Sequence, residues 1–217
     1  GSIYGIMKNI GKVGVMKIDD EGGSASTAWS RETAPEFEYE KSPNGITVVD
    51  GLLYAVTGAN RMIKWDSSGD QIFNKSLSGE GNSIESVDGN IYVSFGDGIS
   101  RYDKDGNLTW SESFSSTGTI LDVEGNDIYT SDSGEVKKYT DTGTGATEEW
   151  ILNTAGSVED ASIRDGGVYV SSDNGIIEKY IDKGSTASSS PSWSKDLYGN
   201  SDPVRGILVT DDNVWVG

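Results

Sequence analysis

The residues with the most chemical promise are acidic. Asp103-Lys104-Asp105-Gly106-Asn107 opens like a calcium loop, with oxygen-bearing side chains at alternate positions. Calcium takes roughly six to eight oxygens, and an EF-hand needs further acidic residues and a closing Glu. Here Leu108-Thr109-Trp110 follows at once as a strand. Asp103, Asp105 and Asn107 are therefore a candidate calcium set whose simpler reading is a tight turn. With 35 acidic residues, carboxylate pairs of the glycosidase kind are unavoidable. Glu85, Asp122 and Asp160 fall on or beside strands expected to line a central channel, where a solvated polar lining is the simpler role.

Other chemistries are excluded by what the chain lacks. It has no Cys and no His, which removes disulfides, zinc-thiolate sites, cysteine nucleophiles and every Ser-His-Asp arrangement. Gly96-Asp97-Gly98 and Gly143-Thr144-Gly145 sit between strands rather than before a helix, so neither is a phosphate loop. The net charge of −18 repels phosphate backbones and anionic membranes, so no nucleic acid partner is expected. No apolar run is long enough to span a bilayer. The chain opens on Gly1-Ser2 without an initiator Met, as expected of a processed form or a piece of something longer.

Positioning falls to short strands, since 29 Gly and abundant Asp, Ser and Asn are turn chemistry in quantity. Acidic turns recur at one point of a repeating unit: Asp50-Gly51, Asp88-Gly89, Glu124-Gly125, Asp165-Gly166 and Asp211-Asp212. Each precedes an aromatic in an alternating strand: Tyr54, Tyr92, Tyr129, Tyr169 and Trp215, with Tyr4 as a sixth member. These aromatics lie 50, 38, 37, 40 and 46 residues apart. A further strand then ends at Trp65, Tyr102, Tyr139 or Tyr180, with Ile18 in that place in the first copy. A third aromatic follows at Trp29, Phe73, Trp110, Trp150 and Trp193, and a short apolar strand leads into the next acidic turn.

A period near forty residues with four strands per unit is a propeller signature. A lone four-stranded sheet cannot bury both faces, whereas radially packed sheets sandwich their aromatics between neighbours. The expected fold is all-β: a propeller of four-stranded antiparallel blades, about five of them, closed by strands from both termini. The segments are 1–43 (three strands of a partial blade), 44–81, 82–117, 118–157, 158–202, and 203–217 as the two closing strands. One second-position strand is left in surplus, so a larger ring trimmed at both ends competes with five-blade closure.

Tyr102-Asp-Lys-Asp-Gly-Asn-Leu-Thr-Trp110, with its cognates Trp65-Asp-Ser-Ser-Gly…Phe73 and Tyr139-Thr-Asp-Thr-Gly…Trp150, resembles the repeat of pyrroloquinoline-quinone-like (PQQ-like) propellers. In that repeat an aromatic-Asp-x-x-Gly turn precedes a docking Trp. Quinone-dependent dehydrogenases, outer-membrane assembly lipoproteins and archaeal surface proteins share it. The dehydrogenases would imply a quinone over the channel, calcium beside a catalytic Asp, and a vicinal Cys pair that this chain cannot supply. The lack of a lipobox-type Cys argues against the lipoprotein members. The resemblance therefore implies the non-catalytic branch, with no cofactor beyond the candidate calcium.

Function is expected where the repeats differ, because loops on a rigid scaffold carry it. The connection after Trp29 inserts Ala34-Pro35-Glu36-Phe37-Glu38-Tyr39-Glu40-Lys41, and that after Trp193 carries Leu197-Tyr198. Phe37, Tyr39 and Tyr198 would form an aromatic patch, or pack locally over the closure seam. Arg61, Phe95, Asp132, Asp173, Asn174 and Arg205 come from connections expected to share one face of the ring. Phe95 there is either an exposed grip for a ligand or a blade-packing residue. The function expected is a non-enzymatic scaffold, extracellular or on a cell or virion surface, binding a protein or glycan partner. The alternatives are a quinone- or calcium-dependent or carbohydrate-active enzyme, and a protomer of a symmetric oligomer.

Overall fold

The computed structural model describes all residues except 10, 11, 23, 35–42, 115–117, 198, 200, 201 and 212. The described residues form twenty-one strands and no helix. The first sheet holds β1 (Ser2–Asn9), β2 (Lys12–Asp20) and β3 (Ala25–Ala34). Four four-stranded sheets follow: β4 (Pro43–Val49) to β7 (Gln71–Ser76), β8 (Ser83–Val87) to β11 (Leu108–Ser113), β12 (Thr119–Glu124) to β15 (Ala146–Asn153), and β16 (Val158–Arg164) to β19 (Trp193–Asp196). β20 (Ile207–Val209) and β21 (Val214–Val216) form a two-stranded sheet. The three-strand, four-by-four, two-strand count is the one the aromatic spacing predicts. Inside the sheets the ranges are β5 (Leu52–Thr57), β6 (Arg61–Trp65), β9 (Asn90–Phe95), β10 (Gly98–Tyr102), β13 (Asp127–Asp132), β14 (Glu135–Asp141), β17 (Gly167–Ser172) and β18 (Ile176–Ile181).

Turn chemistry sets the register. Val49 pairs Leu52, Val87 pairs Asn90 and Arg164 pairs Gly167, leaving two-residue turns Asp50-Gly51, Asp88-Gly89 and Asp165-Gly166. Both residues of each turn have positive φ, between 50° and 77°. That is the type I′ geometry whose twist matches flanking antiparallel strands. The fourth turn corrects the sequence reading. Glu124 pairs Asp127, so the turn is Gly125-Asn126 rather than Glu124-Gly125. The segment has one residue more than its cognate, and Gly125, at φ 61°, takes the first central position, the Gly-first pattern of a type II′ turn. At the last hairpin Val209 pairs Val214, so the connection spans 210–213, and Asp212 lies outside the described residues.

The chain divides into two compact units, Gly1–Gly96 with Ser100–Thr109, and Asp97–Ile99 with Trp110–Gly217. In the first, one core gathers Tyr54, Val56, Met62, Ile84, Val93, Phe95 and Tyr102, and a second gathers Val15, Trp29, Leu53, Ala55, Ile63 and Trp65. In the second unit Tyr129, Val136, Trp150, Leu152, Ile163, Val168, Val170 and Tyr180 pack together, and Ile177 with Val204, Ile207 and Val209 forms a smaller cluster. Burying each such aliphatic side chain stabilises by about 1.5–3 kcal/mol.

Successive innermost strands are stitched by side chains. Thr47 and Ser86 hydroxyls lie 2.8 Å apart in the first unit. In the second, the register slips at Asp122 and again at Asp160, a bulge in each strand. Each bulge lets one carboxylate accept two amides. Asp122 takes those of Val123 (2.8 Å) and Ile163 (3.0 Å); Asp160 takes those of Ala161 (2.9 Å) and Ile207 (2.9 Å).

Candidate functional site

Two arrangements hold the polar side chains that sequence reasoning singled out. The first is a set of interlocked turns at one end of the second unit. The β15–β16 connection, residues 154–157, runs between two hairpin turns. Thr154 N–H donates to the Gly134 carbonyl (2.9 Å) and Val158 N–H to that of Ser133 (2.7 Å). On the other side Asp173 N–H donates to the Ser157 carbonyl, while the Asp173 carboxylate accepts from Ser157 N–H, both at 2.9 Å. Asn174 donates from its amide to the Ala155 carbonyl (3.3 Å) and accepts from Ile176 N–H (3.2 Å). Glu178, only 4% exposed, accepts from Ala155 N–H at 3.1 Å. Asp132 sits beside this lattice with Lys137, whose ammonium lies 3.6 Å from Asp132 and 3.4 Å from Glu135.

Within the second unit Asp173 and Asn174 are thus bonded to the 154–157 connection, and Asp132 lies on the hairpin turn at its other side. Arg205, exposed, follows Val204, whose N–H donates to the Ser172 carbonyl at 3.2 Å. In the first unit Arg61 is turned onto its own sheet, donating to Asn74 Oδ1 and Ser76 Oγ at 2.6 Å each and to the Asn74 carbonyl at 2.9 Å. Phe95 is 5% exposed and packs with Leu77 and Ile84, so burial supports its packing role and not the ligand grip. Phe37, Tyr39 and Tyr198 lie outside the described residues.

The candidate calcium loop is a turn saturated by protein donors. Asp103 Oδ1 accepts from Asp105 N–H (2.9 Å) and Asn107 N–H (2.8 Å), and Oδ2 from the Asn107 amide (2.9 Å). These bonds, those to Asn107 foremost, hold its carboxyl below the usual range. Lys75 places its ammonium 2.6 Å from the Asp105 carbonyl and 3.2 Å from Asn107 Oδ1. Among the described residues no group of three or more metal-binding side chains gathers. Asp122 and Asp160 are likewise committed to backbone amides. Burial pushes the Asp160 carboxyl up, the Ile207 and Ala161 amides oppose this, and the Asp122 charge adds to it.

The second arrangement is the docking layer between consecutive sheets, built on turns of the Asp103 type. Trp29 Nε1 donates to the Ser67 carbonyl (3.0 Å), Trp110 Nε1 to Asp141 (3.1 Å), and Trp150 Nε1 to Asp182 (3.3 Å). Tyr54 and Lys64 both donate to the Lys104 carbonyl, at 2.7 and 2.8 Å. Tyr129 and Lys138 both donate to Asp182 Oδ2, at 2.7 Å each. The aromatics sandwiched between sheets were anticipated; the lysines were missed. Their only trace in the sequence is that Lys17-Ile18, Lys64-Trp65, Lys138-Tyr139 and Lys179-Tyr180 all place a cation immediately before the residue that closes the same strand. Lys64 and Lys138 are 5% and 3% exposed.

Residues 14–121 match the family model described as outer membrane protein assembly factor BamB. The structure of BamB from Moraxella catarrhalis aligns with 97% of this chain at a TM-score of 0.64 and 12% identity. This is a PQQ-like β-propeller. A computationally designed protein, Ika8, aligns with 99% of the chain at a TM-score of 0.68 and 14% identity. The chain spans 66% of the length of Ika8 and 68% of that of BamB. No curated protein matches the sequence. Matches of this propeller to 852 solved chains show a common scaffold, so its function must be argued from sites rather than fold.

Proposed function

We propose that this PQQ-like propeller is a non-catalytic scaffold that recognises a protein partner through the interlocked turns around Asp132, Asp173 and Asn174. The observation that carries this is the double clamp between Ser157 and Asp173, which fixes two connections against each other before any partner arrives. A face ordered in advance spends little entropy on binding. The bonding of the candidate carboxylates supports the same reading, since Asp103, Asp122 and Asp160 are spent on backbone amides. The matched family is named for an assembly factor, a role exercised on other proteins. An acidic chain without thiols suits an extracellular, secreted or cell- or virion-surface setting, and a partner with a basic face.

The test is a binding screen of basic peptides, acidic peptides and glycans against the wild type and an Asp132→Asn/Glu135→Gln variant. Capture of basic peptides that weakens in the variant and at higher salt supports the proposal. Capture of glycans alone, or peptide binding indifferent to the variant, overturns it.

A further inference from the structure

The outer strands of the four-stranded sheets are reached by connections of unequal length. They span 66–70, 103–107 and 142–145, but the last spans 182–192. Function concentrates where a rigid repeat varies. The added residues are rich in hydroxyls, Ser185-Thr186-Ala187-Ser188-Ser189-Ser190, and they are held in place. Lys183 N–H donates to the Thr186 carbonyl (2.8 Å), Ser188 N–H to that of Ile181 (2.9 Å) and Ser192 N–H to that of Lys179 (2.7 Å). Ser188 Oγ accepts in return from Ile181 N–H (3.0 Å), and Ala187 packs against the core that contains Trp150 and Leu152.

This connection stands beside the outer edge of β15, and between them lies a slot of about 400 Å³. β15 is the outermost strand of its sheet, and no main-chain bond joins it to the 182–192 connection among the described residues. Thr154 N–H donates to the Gly134 carbonyl, so the bonded pairs of the β14–β15 ladder fall alternately at 154, 152 and 150. The main-chain groups of Ile151 and Asn153 therefore face the open edge. The register bulge falls at Glu149, before this stretch. No Lys, Arg or Pro within 146–153 blunts the edge, and Ile151 is 46% exposed. The side chains of Glu149, Asn153, Ser185, Thr186 and Ser189 line the slot and make no hydrogen bond or ion pair among the described residues.

We propose that the β15 edge and the 182–192 connection form a recognition slot for an extended, basic segment of a separate protein, which adds to β15 as a further strand. Ile151 and Asn153 supply the main-chain ladder, and the Ile151 side chain offers apolar contact. The Ser185, Thr186 and Ser189 hydroxyls form the opposite wall. Charge selects the occupant. Glu149 in the slot is unpaired, Glu148 precedes it, and the whole chain carries −18, so lysine or arginine on the segment is attracted and an acidic segment repelled. A wall already ordered by its own bonds adds little entropic cost to binding. Both sheets that border the slot have all four strands. Recognition here does not depend on the turns around Asp132, Asp173 and Asn174.

The test titrates the intact chain with a short synthetic peptide that alternates lysine and valine. Isothermal titration should show saturable binding, and hydrogen exchange should slow at the Ile151 and Asn153 amides. Two N-methylated forms, one on the lysine amides and one on the valine amides, keep the charge of the parent. The form methylated on the set that pairs with β15 should bind about tenfold more weakly, a control that needs no protein variant. Ile151→Pro removes one outward-facing N–H and no ladder bond, a change that edge strands tolerate, and should weaken the parent peptide similarly. Asp132→Asn/Glu135→Gln should leave binding intact, which separates this slot from the turn face. Absence of saturable binding, equal binding of the parent and both N-methylated forms, loss of binding in Asp132→Asn/Glu135→Gln without protection at Ile151, or a glycan that protects Ile151 where the peptide does not would each overturn the proposal.

Discussion

Lys138 Nζ lies 2.7 Å from an Asp182 carboxylate oxygen, and both side chains are almost wholly withdrawn from water, 4% and 6% exposed. Asp127 lies at the same 2.7 Å from the ammonium, so one lysine serves two carboxylates. Asp182 meanwhile accepts from Tyr129, Trp150 and the Gly184 amide, so one carboxylate collects three side chains from the preceding sheet and its own turn.

Removing Lys138 leaves Asp182 buried without its cation, and removing Asp182 leaves the buried ammonium with Asp127 alone. Lys138→Ala and Asp182→Ala should each cost about 3 kcal/mol in the stability of the second unit, and the double variant clearly less than their sum. Denaturant titration followed by tyrosine and tryptophan fluorescence measures the cycle. Full additivity would mean the two side chains do not act together.

The same pair shapes the pH dependence. Burial alone would raise the Asp182 carboxyl, but the bonds from Lys138, Tyr129 and the Gly184 amide outweigh it and hold the group below its ordinary value. A depressed carboxyl contributes stability that is present above its unfolded value, about 3.9, and is lost as pH falls through the folded one. Burial would lower Lys138, yet Asp127 and Asp182 raise it, so its contribution holds below about 10.4 and fades as pH climbs through the raised value. Asp160, raised mainly by burial, acts the other way and loses stability as pH rises. Asp182→Asn should flatten the acid limb of a stability-pH curve, and Lys138→Met the alkaline limb. Unchanged limbs would refute the assignment.

Tryptophans in equivalent places should differ in their sensitivity. Trp150→Phe removes a donor to a buried carboxylate and should cost about 1.5–3 kcal/mol. Trp193→Phe, at an exposed site without a receiving turn, should fall within about 0.5 kcal/mol. Thermal unfolding of the two variants separates them.

Glycines separate in the same way. A Cβ at Gly98 would run into the Glu112 carbonyl oxygen, a backbone atom that cannot step aside. Gly98→Ala should cost about 3 kcal/mol. At Gly89, φ is 77° and nothing lies near, so Gly89→Ala should cost only the left-handed penalty of about 1–2 kcal/mol. Equal effects would show that steric closeness is not what the strand glycine serves.

The strand order was legible because each position in the blade buries one residue type: Tyr54, Tyr92 and Tyr129 are at most 1% exposed, so selection at that place is steric and repeats in register. The docking tryptophans were legible for the same reason. The lysines were not, since a cation in a strand ordinarily reads as a solvated face, and only its adjacency to the closing aromatic betrays burial. The Asp122 and Asp160 stitches were hidden too, because they depend on bulges that alter pairing without changing composition. Phe95 looked equally suited to surface or core, and its burial rests on Leu77, which precedes its sheet, and Ile84 on the adjoining strand of the same sheet.

The junctions are vectorial. In the docking layer the side-chain donors come from the earlier sheet and the acceptors from the later turn, whose Asp103 is held by its own loop while the Lys104 carbonyl receives Tyr54 and Lys64. A sheet deprived of its predecessor therefore loses little, whereas one deprived of its successor is left with an uncovered indole and an unanswered ammonium. Such a chain resembles a zipper with a directional pull, in which stability propagates by nearest neighbours. Progressive trimming from the C-terminal end should then expose a fresh donor set at every step, while trimming from the N-terminal end leaves only turns that are already at rest.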